Sequence, residues 1–227
     1  MEEQKIRRST TILCVRKGDE CVIASDGQVT LGNMVEKNTA RKLRVFKRGK
    51  IVAGFAGSVA DCMTLLDRLE KKIEQYDELE RSCYELAKDW RTDKVIRNLE
   101  ASLIITDGDT ILQLTGDGNV LEPENKDIAS VGSGSVFALA SARALYENTN
   151  FSAEEIVRKA MKIAGDYCIY TNHNLSIEKI IKKGKNNDNK NDNDKKNNKS
   201  NISSMNIKEK KKKNVKNNKV ETITQLK

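Results

Sequence analysis

Apolar positions arrive in short runs and then change period. Residues 11–16 (TILCVR), which alternate like a β-strand, and 21–25 (CVIAS) read as strands, and the turn Lys17–Glu20 around Gly18 separates them. A second hairpin is predicted at Leu43–Phe46 and Ile51–Phe55, through Arg48-Gly49. From Ser58 the period becomes helical, with Leu65, Leu66, Leu69 and Ile73 on one face. A second helix is predicted over Leu79–Leu99. Strands return at Ser102–Thr106 and Thr110–Thr115 across the turn DGD, with short ones near Val120 and at Ile128–Val131. GSGS at 132–135 precedes a small-residue helix, Val136–Tyr146. Ser152 and Glu155 have capping-box spacing, and the helix they open is predicted to run to about Tyr170. Its buried face is expected to carry Ile156, Ala160, Ile163, Ala164 and Tyr167.

The order is strands, two helices, strands, two helices. Without strict β-α alternation a doubly wound parallel sheet is disfavoured. Two stacked antiparallel sheets with a helix pair outside each would bury every apolar face. The expected fold is therefore α+β, a four-layer αββα sandwich.

Charge divides the chain. The net formal charge is +8, yet residues 182–227 alone carry 15 lysines against 5 acidic residues, which leaves residues 1–181 at −2. Lysine and asparagine make up 27 of those 46 residues, and none is aromatic. Such a segment buries too little apolar surface to offset its ordering entropy, so 182–227 is expected to be a disordered tail. Two readings of it stand: a codon-level bias towards Lys and Asn, or a polyanion-binding arm around Lys210–Lys213. Without aromatics or arginines, sequence-specific nucleic-acid binding is not expected. Residues 10–181 suffice for one core.

Five cysteines, at 14, 21, 62, 83 and 168, form no Cys-x-x-Cys pair, so neither a disulfide framework nor a zinc site is expected and a reducing compartment fits. No apolar run approaches membrane-spanning length, and residues 1–9, with Glu2 and Glu3, make neither a secretory signal nor a good transit peptide.

The candidate chemistry is narrow. The one histidine, His173 in YTNHN, reads as a helix-end or surface residue, and there is no Gly-x-Ser-x-Gly elbow. GDGN and GSGS lack the lysine of a phosphate loop and read as turns. What remains is the pair Thr10-Thr11 at the edge of the first strand. A threonine hydroxyl needs a base to become a nucleophile. Cutting the bond before Thr10 would supply one, because a free α-amine titrates near 7.7–8.0 and a nearby cation lowers that value. Lys42 is available as the cation and Asp26 as the carboxylate that holds it, each at the end of a predicted strand.

The segments TTILCVRKG, IASDGQVTLGN, IVAGFAGSVADCMTL, ELAKDWRTDK, ENKDIASVGSGS, ARALYENT and IAGDYCIYTNHN, in this order and spacing, closely resemble the HslV (ClpQ) family, the proteasome-related peptidase subunits of the HslUV ATP-dependent protease. The resemblance spans Thr10 to about Ile180. It implies an N-terminal-nucleophile hydrolase fold and a threonine endopeptidase whose mature chain starts at Thr10, so that Met1–Ser9 is a propeptide. It puts Asp26, Lys42 and Ser133 beside the nucleophile, and the oxyanion-stabilising amides in the loop Gly54–Gly57. Carbonyls of Gly165, Cys168 and Thr171 fall on a structural monovalent-cation site, usually sodium. It also implies two stacked hexameric rings and an HslU-like AAA+ unfoldase that spends ATP and delivers unfolded polypeptide; this chain uses neither ATP nor a catalytic metal.

Three departures accompany it. Ser58 stands where the family usually has glycine, the leader is longer than a single methionine, and the Lys/Asn tail is foreign to the family. The retained leader keeps open an alternative, an unprocessed, non-catalytic ring subunit. The Lys/Asn bias resembles chains of AT-rich eukaryotic parasites. The expected location is the cytoplasm for a bacterial-type chain and the mitochondrial matrix for a parasite one.

Overall fold

The computed structural model describes residues 10–93, 101–116 and 118–181. The expected disorder of 182–227, the expected propeptide 1–9 and the stretch 94–99 of the second predicted helix lie outside the described residues.

The chain begins with β1 (Thr11–Lys17) and β2 (Glu20–Ser25), then the small hairpin β3 (Val29–Leu31) and β4 (Met34–Lys37). Next come β5 (Leu43–Phe46), β6 (Ile51–Gly57), α1 (Val59–Gln75) and α2 (Leu79–Thr92). The second half holds β7 (Ala101–Thr106), β8 (Ile111–Leu114), β9 (Val120–Leu121), β10 (Ile128–Gly132), α3 (Ser135–Asn148), α4 (Ala153–Tyr167) and β11 (Ser176–Ile181). One antiparallel sheet has the order β10-β1-β2-β11, and the other β5-β6-β7-β8-β9.

Alternation along each strand builds the layers. On β1, Ile12 and Cys14 join Cys21, Ile23, Val52, Ala56 and Ile104 in a cluster between the sheets. Leu13 and Val15 face the other way, against Ala138, Ala142, Ile156, Val157, Ala160 and Met161 of α3 and α4. The opposite flank packs Ala53, Phe55, Leu103 and Ile105 against Leu65, Leu66, Leu69, Leu86 and Trp90 of α1 and α2. The four αββα layers are the expected ones.

The differences are local. β3 and β4 were not anticipated; both are short, and every residue of β4 is exposed. β11 was not anticipated either, since SIEKII leads directly into the lysine-rich tail; it pairs along β2 from Ser25 to Glu20. α4 stops at Tyr167 rather than near Tyr170. Tyr167 is 71% exposed, outside the buried face on which it was expected, and Val157 and Met161 complete that face instead. The capping box is present: Glu155 N donates to Ser152 Oγ (3.2 Å) and Ser152 N to Glu155 Oε2 (2.9 Å).

Candidate active site

Strand geometry separates the two threonines. Thr10 shares the parity of Ile12 and Cys14 and so faces the gap between the sheets. Thr11 shares the parity of Leu13 and faces the helix layer, where its Oγ1 lies 2.7 Å from Thr171 Oγ1 and accepts from Gly134 N at 3.0 Å. Thr11 is thus a fastening, and Thr10, 4% exposed, lies on the other side of the strand.

Behind Thr10 lies a buried ionic group. Lys42 Nζ donates to Asp26 Oδ1 (3.0 Å) and to the Gln28 carbonyl (2.6 Å). Thr11 N donates to the same Asp26 Oδ1 at 2.7 Å, while Gln28 N (2.9 Å) and Asn172 N (3.4 Å) donate to Oδ2. Four donors thus converge on the two oxygens of this one buried carboxylate. Lys42 titrates below the ordinary lysine range because burial penalises its charge, and Asp26 opposes that shift by attraction and hydrogen bonding. Ser133 closes the other side: its Oγ accepts from Thr10 N at 3.5 Å and donates to the Thr10 carbonyl at 3.3 Å, and its own N–H donates to that carbonyl at 2.8 Å. Thr10, Asp26, Lys42 and Ser133 therefore meet in one place, although they come from four separate parts of the chain.

The two glycines expected to supply an oxyanion amide differ. Phe55 N donates to the Lys42 carbonyl, which fixes the hydrogen-bonding parity of β6. By that parity the Gly54 amide points to β7, where it is paired with Ile104, so its placement as an oxyanion donor is corrected. Its missing side chain serves packing: a β-carbon there would lie 2.6 Å from Ile12 Cγ2 and 3.1 Å from Leu43 Cδ2. The Gly57 amide has the parity of Phe55 and faces past the start of β5, on the Lys42 side. Its φ of +131° is one that side-chain-bearing residues rarely adopt.

Gly165, Cys168 and Thr171 lie at the end of α4 and in the turn beyond it. A helix end leaves last-turn carbonyls without intrahelical partners. The Cys168 carbonyl accepts Thr171 N at 3.0 Å and keeps a second lone pair. This all-oxygen set at the negative end of a helix suits a hard monovalent cation. His173, 57% exposed, sits 3.3 Å from Asp166 and over Gly165, away from the threonine.

Reading the sequence alone missed Gln28, whose carbonyl holds Lys42, and Asn172, whose amide holds Asp26. The signal was present in DGQ and YTNHN, but only as motif text.

The proteasome-subunit family model matches residues 6–180. An ATP-dependent protease subunit HslV from Rickettsia typhi is 56% identical over 172 residues, which cover 74% of this chain and 93% of the relative. A crystal structure of eukaryotic HslV from Trypanosoma brucei superposes with a TM-score of 0.73 at 46% identity, covering 76% of this chain and 99% of that one. A Thiobacillus denitrificans BPH structure in complex with epoxomicin shares the fold, with a TM-score of 0.61 at 21% identity over 75% of this chain and 98% of its own. With a family match over most of the chain and a likeness of this extent, the chain belongs to the proteasome subunit family and, within it, to the HslV peptidases of ATP-dependent proteases.

Proposed function

We propose that Thr10 is the catalytic nucleophile of this peptidase and becomes competent when the Ser9–Thr10 bond is cut. The observation that carries this reading is the convergence of Thr11 N and Lys42 Nζ on one oxygen of Asp26, which seats a cation beside the strand edge that holds Thr10. The freed α-amine then accepts the hydroxyl proton, and the nearby ammonium keeps that amine largely neutral at physiological pH. Thr10 Oγ attacks the substrate carbonyl. The Gly57 amide stabilises the developing oxyanion, a contribution of about 2.7–4 kcal/mol for one donor. The amine returns its proton to the leaving nitrogen, and water then cleaves the ester. Ser133 orients the amine end of Thr10.

Gly165, Cys168 and Thr171 would hold a structural sodium ion through their carbonyl oxygens, where it would supply a fixed positive charge to the turn. We further propose two stacked hexameric rings enclosing the Thr10 sites, with an HslU-like AAA+ unfoldase as partner. The disposition of the chain in the cytoplasm or in the mitochondrial matrix follows from a bacterial or a eukaryotic source, respectively.

The test joins N-terminal sequencing of the purified assembly to casein degradation with and without the unfoldase and ATP. The expected result is a chain starting at Thr10, slow cleavage of small peptides by the ring alone, and casein loss only when partner and ATP are both present. An active assembly that retains residues 1–9 would refute the nucleophile; equal casein loss by the ring alone would refute the gated chamber.

A further inference from the structure

We infer that Asn172 is a positioning residue for the Asp26–Lys42 pair, clamping together the two chain segments that bear it; this rests on the catalytic reading above. The turn between α4 and β11 touches both β1 and the loop after Asp26. The Ile169 carbonyl accepts Gln28 Nε2 at 2.8 Å, and Thr171 Oγ1 meets Thr11 Oγ1. Asn172 does most. Its N–H donates to Asp26 Oδ2 at 3.4 Å. Its side-chain Oδ1 accepts from Gly27 N (3.0 Å) and Asn174 N (3.1 Å). Its Nδ2 donates to the Asn38 carbonyl (3.0 Å) and to Asn38 Oδ1 (3.2 Å).

The two segments so joined are the ones that matter. Gly27 directly follows Asp26. Asn38 begins the stretch that runs through Lys42 into β5, and Ala40 N in that stretch donates to the Gly27 carbonyl at 2.9 Å. Asn174 Nδ2 adds a second donor to the Asn38 carbonyl at 3.0 Å. The approach is close enough that a β-carbon on Gly27 would collide with the Asn38 carbonyl. One amide side chain, with acceptor and donor ends both used, thus fixes the spacing between carboxylate and ammonium from outside the cleft. Only an amide matches this pattern, because one end must accept and the other donate.

The experiment measures kcat, KM and the pH profile of kcat/KM for a small fluorogenic peptide, using the processed full assembly. Variants are Asn172→Ala, Asn172→Asp and Asn38→Ala, with Thr10→Ala as the control for the catalytic reading. Loosening the pair weakens the influence of Lys42 on the Thr10 amine, so the acid limb should move to higher pH. Asn172→Ala should lower kcat by about 10–100-fold with KM nearly unchanged. Asn172→Asp should move the limb the same way, because it loses the donation to Asn38 and adds negative charge. Asn38→Ala, an exposed site that endangers no core, should give a smaller shift of the same sign. A shift in Asn172→Asp alone would mean charge without a clamp and would overturn the inference. So would a wild-type acid limb in Asn172→Ala or, where that variant does not assemble, in Asn38→Ala. Activity persisting in Thr10→Ala would instead overturn the catalytic reading itself.

Discussion

Lys42 Nζ and Asp26 Oδ1 form a 3.0 Å ion pair in which the lysine side chain is 5% exposed and the carboxylate fully buried. Removing one partner of a buried pair leaves an uncompensated charge, which typically costs about 3–5 kcal/mol. Three backbone amides still serve Asp26 after loss of Lys42, which places the cost at the lower end. Lys42→Met is expected to assemble but to lose activity, most severely at low pH. Without the ammonium the Thr10 amine rises towards its ordinary value and stays protonated over more of the acid range. Lys42→Arg should rescue poorly, since a planar guanidinium cannot take the place of a compact ammonium. A pH series of kcat/KM checks both variants; a Lys42→Met profile equal to wild type from pH 6 to 9 contradicts the electrostatic role.

Thr10→Ala should abolish peptide hydrolysis while the ring stays assembled, because no apolar packing depends on the hydroxyl. Thr10→Ser should retain partial activity, since hydroxyl and amine both survive. Intact-mass measurement adds a separate check. If the hydroxyl cuts its own leader, Thr10→Ala keeps residues 1–9 and wild type does not.

Gly54 and Gly57 should separate stability from catalysis. Gly54→Ala drives a methyl into Ile12 and Leu43 between the sheets, and overpacking of this kind costs about 1–3 kcal/mol. Its signature is a lower Tm. Gly57→Ala strains a backbone held at φ +131° and moves the proposed oxyanion amide, so kcat should fall by about 100-fold or more. Thermal melts and steady-state kinetics on the two variants would show the roles reversed if the assignment were wrong.

All five cysteines are unpaired and buried. Burial pushes the Cys62 thiol up to about 12, and Cys83 also rises, chiefly through burial. Cys21 alone moves down among the shifted thiols, by hydrogen bonding to Cys14, yet it is 2% exposed. Thiolate is the reactive form, so a thiol reagent at pH 8 should modify the native protein slowly and find five thiols after denaturation. Rapid modification of the native protein would show that the segments bearing these cysteines open readily.

The layers were legible because burial on both faces leaves its own trace. Ile12–Val15 and Ile51–Ala53 are apolar at every position, and the change to helical period at Leu65 marks the next layer. The β3–β4 hairpin left no such trace, as β3 is only three residues long and every residue of β4 is exposed. The site was legible only through motifs. Asp26 and Lys42 could be named as available charges at strand ends and Ser133 only by family likeness, whereas the convergence of all three depends on pairings between segments far apart in sequence. Gly54 misled for a related reason. The text AGFAG does not say which amides a neighbouring strand will consume, and hydrogen-bond parity along β6 decides it.

A new chain end is usually the loosest part of a protein, fraying unless something ties it down. Here the residue that would become the end is held before any cut is made. Thr11 pairs with Gly132 on β10, the Thr10 carbonyl is gripped by Ser133, and Thr11 N and the Thr11 carbonyl are engaged by Asp26. Severing the bond before Thr10 would leave these contacts of Thr10 and Thr11 in place. On the proposed reading, the cleavage would change the chemistry of one nitrogen and leave its address unaltered, so a single proteolytic event would switch on the nucleophile without a rearrangement to follow it.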